Sequence, residues 1–406
     1  MTNAPTGQEI VRGFPEGGAL LEALAGFPPA YLVGGAVRDA LRGAVPVDVD
    51  IAVEGEIGSL AWALSDHFGA ELLEHERFGT ARLAIGGVRV DLARTRSECY
   101  AAPGGLPEVA PASIEDDLAR RDFTVNAVAL PLGDEAGEAI DPFDGRADLV
   151  SKTIRVLHPR SFLDDPTRLL RAIRYEVRLD SSMEPQTERL ARAAIDGGAL
   201  GTVSGARLGA ELLLLLGEVN FVAALERMVD LGFHERWPGG IDPALCGSAA
   251  LAALDTGADR VLSALAALLL GLGSGAPSVL EQLELDAGAA HRVRAALRDA
   301  PPLAAELRGD AKPSEIFVSL DGVSPEGMAL ALALGAAPEP LLSYLASLQY
   351  ATLEISGDDL RAAGIAPSPA IGAALRATLL AKLDGLLDGR EAELAAAIEL
   401  ARGGAA

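Results

Sequence analysis

Cysteine is nearly absent: Cys99 and Cys246 are the only two in 406 residues. Two thiols build neither a disulfide framework nor, by themselves, a zinc site, which suits a reducing cytoplasm. Aromatic residues are scarce at 4%, while half of the chain is hydrophobic. Ala, Leu and Gly dominate, a composition that favours helices joined by glycine breaks. The longest apolar runs, 249–254 and 262–272, are interrupted by Asp or Gly and too short to span a bilayer, so no membrane partner is expected. The short, polar start lacks the basic-then-apolar pattern of a signal peptide. Lysine is limited to Lys152, Lys312 and Lys382, so phosphate contacts would fall to arginine. The five histidines, His67, His75, His158, His234 and His291, are scattered and read as structural or surface residues.

What the chain has in excess is acid, with a net charge of −24. Taken alone this argues against a nucleic-acid partner, because neutralising phosphates needs clustered Lys and Arg. Position softens the objection: arginines crowd between Arg77 and Arg178, so a basic surface could be local. The length is enough for two or more domains.

One stretch carries the most chemistry: Tyr31-Leu-Val-Gly-Gly-Ala-Val-Arg-Asp39, then Val47-Asp-Val-Asp-Ile51. It reads as strand, glycine turn, helix start, loop and second strand. Gly34 and Gly35 let a phosphate approach the backbone amides, and Arg38 sits one turn into the helix. Strand periodicity puts Asp48 and Asp50 on one face, with Val47, Val49 and Ile51 on the core face. Paired carboxylates repel unless a cation separates them, and Mg²⁺ bound through carboxylates and phosphate oxygens would do so. Gly86-Gly87 between two alternating runs signals a hairpin. That hairpin would bring Asp91 beside the Asp48/Asp50 strand as a third carboxylate.

Two further constellations follow. Residues 97–114 read as a long loop, and Ile114 to Val128 as a helix with Ser113 as N-cap. On such a helix Asp122 and Asn126 are i, i+4 neighbours, with Arg121 able to hold a triphosphate and Asp122 able to accept from a ribose hydroxyl. The same run also reads as a solvated charged helix. In Phe162-Leu-Asp-Asp-Pro-Thr-Arg-Leu-Leu-Arg-Ala-Ile-Arg174, Pro166 suits a helix first turn with Asp164 or Asp165 as N-cap. Arg168, Arg171 and Arg174 form a basic stripe. From Asp164 onward nearly everything reads as helix, with breaks that include residues 300–302.

Gly-Gly-Ala-Val-Arg-Asp followed by Asp-Val-Asp resembles the opening motif of the class II tRNA nucleotidyltransferases. That group contains CCA-adding, CC-adding and A-adding enzymes and the bacterial poly(A) polymerases, within the superfamily named after DNA polymerase β. Arg120-Arg-Asp-Phe-Thr-Val-Asn-Ala127 resembles the second motif, Asp141-Pro-Phe-Asp-Gly145 the hinge motif, and Asp164-Asp-Pro-Thr-Arg168 the base-reading motif. The absence of a His-Asp dipeptide gives no sign of the phosphohydrolase domain that some members carry.

The resemblance implies an α+β fold. A polymerase-β-like catalytic head of mixed sheet and helices would occupy 1–150. An all-α neck would follow over 151–235, then a helical, RNA-binding body and tail over 236–406. It implies template-independent addition of CMP and/or AMP from CTP and ATP to the 3′ end of tRNA. Asp48 and Asp50 would hold two Mg²⁺ ions with Asp91 as a further ligand. Gly34, Gly35, Arg38 and Arg121 would hold the triphosphate, with Asp122 and Asn126 beside them. Asp165 and Arg168 would read the base, with Arg171 and Arg174 near the nucleotide. A poly(A) polymerase acting on other RNA ends is the alternative.

Overall fold

A computed structural model describes residues 5–75, 79–133, 137–233, 240–307 and 309–403; Arg77 and His234 lie outside them. Among the described residues there are ten strands: β1 (Ala30–Val33), β2 (Val49–Val53), β3 (Leu73–His75), β4 (Thr80–Ile85), β5 (Val88–Arg94), β6 (Arg96–Cys99), β7 (Glu108–Pro111), β8 (Ala129–Pro131), β9 (Thr153–Ile154) and β10 (Ser182–Met183). Six of them form a mixed sheet in the order β3-β4-β5-β2-β1-β8. Only the β2–β5 contact is parallel within it.

The sequence reading of the hairpin holds. β4 and β5 pair through the two-residue turn Gly86-Gly87, whose φ values are +58° and +80°. Positive φ at both positions is the turn whose twist matches a right-twisted hairpin. Parallel pairing then sets Asp50 directly opposite Asp91.

The sheet buries two faces. Val49, Ile51 and Val53 pack with Leu32, Val90 and Leu92 under the helices Gly17–Leu24, Gly34–Leu41 and Gly58–Phe68. On the other face Val33 and Ala52 pack against Ile114, Leu118, Ala127 and Ala129. Alternation along β2 therefore sends Asp50 to the second face, beside the short helix Ile114–Ala119. Val47, expected in the core, is 83% exposed because the strand begins only at Val49.

The N-terminal stretch holds two short helices, Gly7–Arg12 and Gly17–Leu24. The segment read as loop over 97–114 contains the β6–β7 hairpin. The helix expected from Ile114 to Val128 stops at Ala119 and gives way to a 3-10 turn at Thr124–Asn126. Long-range pairing overrides helix propensity here: Phe123 bridges Val156, and the Thr124 N–H donates to the Arg155 carbonyl at 3.0 Å. Ser113 does cap the helix, accepting from the Asp116 N–H.

The chain forms two compact units, Met1–Phe233 and His234–Ala406. Head and neck as read from sequence thus share the first unit. The neck is helical apart from the small parallel β9–β10 pair. Its main helices are Thr167–Leu179, Pro185–Asp196, Gly205–Leu216 and Phe221–Leu231. In the second unit Pro243–Thr256, Arg260–Leu270, Ala287–Glu306 and Pro325–Ala333 pack on one another. The helix Ala287–Glu306 runs through Pro301-Pro302, where the sequence suggests a break. Both prolines lie in its last turns, where the Leu307 N–H still closes onto the Leu303 carbonyl. Helices Gly357–Ala362, Pro369–Leu383 and Gly389–Gly403 share a separate small core around Leu360 and Ala397. Among the described residues no single helix is long and apolar enough to cross a membrane.

Gly145 follows the hinge-like Asp141-Pro-Phe-Asp turn, and its N–H donates to Asp141 Oδ1 at 2.7 Å. A Cβ there would sit 2.1 Å from the Thr124 carbonyl oxygen, a backbone atom of the 3-10 turn. Gly145→Ala is expected to cost about 1–3 kcal/mol by overpacking, seen as a lowered Tm in thermal unfolding. An unchanged Tm would show that the turn can yield.

Candidate active site

The first unit contains a cleft of about 420 Å³. Its floor is the turn that leaves β1. Gly34 has φ +67°, and a Cβ would meet Arg121 Nη1 at 3.2 Å and Asp50 Oδ2 at 3.4 Å. Glycine is required there on both counts: the backbone is left-handed, and the space lies between a cation and a carboxylate. Gly35, Asp50 and Arg121 line the same end. A smaller cavity of about 170 Å³ shares Asp50, Arg120 and Arg121 and extends to Asp91 and Asp117.

Arg121 is aimed by two contacts. Its Nη2 donates to Asp117 Oδ2 at 3.0 Å and its Nη1 to the Asn126 carbonyl at 3.3 Å. Its Nε is buried with no partner among the described residues, a donor left for a ligand. Asp117 is 1% exposed and also accepts from Arg120, at 2.6 and 3.0 Å. Burial alone would raise the Asp117 carboxyl, but Arg121 and Arg120 outweigh it and hold the group below the usual carboxylate range.

Asp122 is fully engaged. Oδ1 accepts from the Phe123 N–H at 2.8 Å and Asn126 Nδ2 at 2.9 Å; Oδ2 accepts from Arg171 Nε and Nη2 at 3.0 and 2.6 Å. Four donors fill the lone pairs of one carboxylate. In this arrangement Asp122 orients Asn126 and Arg171, where the sequence suggested a ribose acceptor. The Asp122–Asn126 contact comes from the turn, not from a helix face.

Asp165 and Arg168 line the same cleft. Asp165 Oδ1 accepts from the Thr167 N–H, Thr167 Oγ1 and Arg207 Nη2, at 3.0, 2.6 and 2.8 Å. Its Oδ2 has no hydrogen-bond partner among the described residues. Arg168, 4% exposed, donates from Nη1 to Ser161 Oγ and from Nη2 to the Arg120 carbonyl, both at 2.7 Å. Two of its five N–H groups are thereby spent in fixing the plane of the guanidinium.

Burial pushes the Asp50 carboxyl above the usual carboxylate range; Asp91 and Asp48 add to this and Arg121 opposes it. Crowded, half-desolvated carboxylates are a donor set that fits a hard divalent cation. The outer two are occupied by arginine: Arg82 donates to Asp91 Oδ1 at 2.6 Å, and Arg89 bridges Asp48 and Asp91. Among the described residues no three acidic, His or Cys side chains are already gathered as a metal site.

Residues 30–155 match the family described as the poly A polymerase head domain. A CC-adding tRNA nucleotidyltransferase of Deinococcus radiodurans is 38% identical over 344 residues, covering 82% of this chain and 87% of that protein. The chain belongs to the tRNA nucleotidyltransferase family. An A-adding tRNA nucleotidyltransferase of Geobacter sulfurreducens is 35% identical over 402 residues. That match covers 92% of this chain, which spans only 45% of the length of the Geobacter protein. Among solved structures, a CCA-adding enzyme complexed with CTP superposes with a TM-score of 0.79 at 30% identity, covering 96% of this chain and 97% of that one. A Thermotoga maritima CCA-adding enzyme complexed with tRNA gives a TM-score of 0.72 at 32% identity, with 91% of each chain covered.

Nine of the sequence-nominated residues line the cleft: Gly34, Gly35, Asp50, Arg121, Asp122, Asn126, Asp165, Arg168 and Arg171. Asp91 lines the adjoining cavity. Three do not line either. Asp48 sits at the bend before β2, tied to Arg89. Arg38 is buried behind the cleft, donating to Asn126 Oδ1 at 2.9 Å and to both oxygens of Asp39. Arg174 is buried with Nη1 3.5 Å from Glu211 Oε2. Helical spacing put both arginines near the site but did not reveal which way burial would turn them.

The sequence reading missed Glu98, Tyr100 and Tyr175 as cleft residues and gave Arg120 no role. Tyr175 anchors the cations: the guanidiniums of Arg38, Arg171 and Arg174 lie 5.2, 5.7 and 5.6 Å from its ring centre. An aromatic four residues after Arg171 was the available signal. Tyr100 donates to Glu98 at 3.0 Å; burial, then Glu98, pushes its phenol up to about 12.

Asp117 supplies a pH prediction. Its folded pKa lies below the unfolded value of about 3.9, so its stabilisation is fully present above that value and is lost as pH falls through the folded pKa. Asp117→Asn should destabilise by about 2–3 kcal/mol at neutral pH, leaving two half-buried guanidiniums short of their counter-charge. Denaturant unfolding of both proteins from pH 7 to pH 2.5 should show the gap closing only below about pH 4. A pH-independent gap would assign Asp117 a packing role.

Proposed function

We propose that the protein adds CMP and/or AMP from CTP and ATP to the 3′ end of tRNA, releasing pyrophosphate. The observation that carries this is the make-up of one cleft. Gly34, Asp50 and Arg121 of the head line it together with the Asp165–Arg168 pair of the neck, which suits a nucleoside triphosphate with phosphates on the glycine turn and base on the neck helix. The relatives that add A or CC to tRNA, and the solved relatives bound to CTP and to tRNA, support the reading.

Arg121 and the amides of the Gly34–Gly35 turn hold the triphosphate. The RNA 3′ hydroxyl attacks the α-phosphorus, the bond to the bridging oxygen breaks, and pyrophosphate departs. Asp50, with Asp91 opposite it and Asp48 at the strand entry, would hold Mg²⁺. Bound there, magnesium would lower the pKa of the attacking hydroxyl and neutralise the leaving group. The protein itself supplies orientation and fixed charge.

Base choice without a template follows from hydrogen-bond polarity. Cytosine and adenine each present an amino donor beside a ring-nitrogen acceptor; uracil and guanine present a carbonyl beside an N–H. Asp165 accepts and Arg168 donates, which suits the first pair and opposes the second. Two mismatched buried contacts give discrimination of about a hundredfold or more. Asp165→Ala should therefore lose the preference for CTP and ATP over UTP and GTP, measured as kcat/KM for four nucleotides on one tRNA. Retention of the wild-type CTP to UTP ratio would place base reading elsewhere.

Asp50→Asn should cut nucleotide addition by about a thousandfold or more while leaving the unfolding transition in place, because several kcal/mol of charge stabilisation is removed. Residual activity above a few per cent would overturn the assignment. Incubation with tRNAs ending before CCA and after CC, with CTP, ATP or both, tests the reaction itself. The match to a poly A polymerase head keeps one alternative in view, and extension of an oligo(A) primer in preference to tRNA would favour it.

A further inference from the structure

Behind the base-reading end of the cleft lies a second cavity of about 380 Å³ that the reaction above does not use. The two share a wall made of Glu98, Tyr100, Arg120 and Arg168. The far side carries Cys99, Asp116, His158, Arg160 and Asp164. We infer that this second cavity is a nucleoside site, occupied while the cleft holds its nucleotide.

The lining has the chemistry of nucleoside recognition. Tyr100 and His158 offer flat faces on which a base can stack, an interaction indifferent to base identity. Asp116 and Asp164 are acceptors suited to ribose hydroxyls. Arg160 stands at the rim, its side chain 63% exposed, where a phosphate would lie. It is held there by Asp164, whose Oδ1 accepts from Arg160 Nη2 at 3.1 Å. His158 is kept uncharged near neutral pH: burial and the adjacent Arg168 lower its pKa, and Asp164 only partly offsets them. A neutral imidazole stacks without adding a charge to a cavity that Arg120, Arg160 and Arg168 already line. The volume falls within the range of small-ligand sites.

The shared wall says why such a site matters. Arg168 donates to Ser161 on one side and to the Arg120 carbonyl on the other, and Arg120 donates to Glu98, which also holds Tyr100. A nucleoside against Tyr100 and His158 therefore presses on the groups that orient the base reader. Two sources supply that chemistry: a nucleoside near the 3′ end of the RNA, or a second free nucleotide. The RNA source rests on the function proposed above; the nucleoside site itself does not.

The test uses the full chain and His158→Ala and Arg160→Ala variants. With a tRNA carrying 2-aminopurine near its 3′ end, stacking should quench the fluorescence on binding, and His158→Ala should abolish the quench. His158→Ala should also raise the KM for tRNA about tenfold, leaving the KM for CTP unchanged. Arg160→Ala should flatten the log–log salt dependence of tRNA binding by about 0.7, the loss of one phosphate contact. If the source is a free nucleotide, equilibrium dialysis with ATP alone should give two equivalents per chain, reduced to one in His158→Ala. Fluorescence, tRNA constants and ATP stoichiometry all unchanged in both variants would overturn the inference. Absence of nucleotide transfer by the wild-type chain would overturn the proposed function instead, since the fluorescence and dialysis readouts need no turnover.

Discussion

The buried carboxylate of Asp122, with a donor on every lone pair, is the contact on which the site depends. A charge removed from water is tolerable only when its hydrogen-bonding capacity is met, and here four donors meet it. Those donors come from two places: the 3-10 turn that carries Asn126, and the neck helix that carries Arg171. The chain of partners continues outward in both directions, from Asn126 to Arg38 and Asp39, and from Arg171 to Glu211. Each member meets a hydrogen-bonding group of the next. The result ties the turn that carries Asn126 to the neck helix that carries Arg171.

This arrangement also resolves the charge objection raised by the sequence. The cleft does not need a basic protein around it. Arg120 and Arg121 share Asp117, and Arg171 shares Asp122 with Asn126 while also donating to Glu211. The acidic excess of the chain is partly the set of carboxylates that aim these guanidiniums. Arginine suits the task better than lysine, because a planar fork can give some N–H groups to a fixed partner and keep others for a ligand. Arg168 does this, with two groups committed and three left.

How much was legible depended on how local the governing rule was. The Gly86-Gly87 turn and the alternation of β2 are rules of neighbouring residues, and they were enough to suggest Asp91 beside the Asp48/Asp50 strand; its register opposite Asp50 comes from the β2–β5 pairing. The helix Ile114–Ala119 began where Ser113 said it would, but its end was set by Val156 and Arg155, more than thirty residues on. The inward turn of Arg38 depends on Asn126, 88 residues away, and no spacing rule carries that information. Glu98 was hidden for a related reason. A stretch rich in Pro and Gly reads as loop, and only the β6–β7 pairing and the arginines that reach it give Glu98 a fixed place.

The sparse thiols have a practical side. Cys246 is fully buried, and burial, with Asp242 nearby, pushes its pKa up to about 12, so it offers almost no thiolate at neutral pH. Cys99 is exposed and forms part of the second cavity's lining, one residue from Tyr100. An unmodified wild-type chain thus carries one addressable handle, already seated where an attached spin label or fluorophore would report directly on what enters that space.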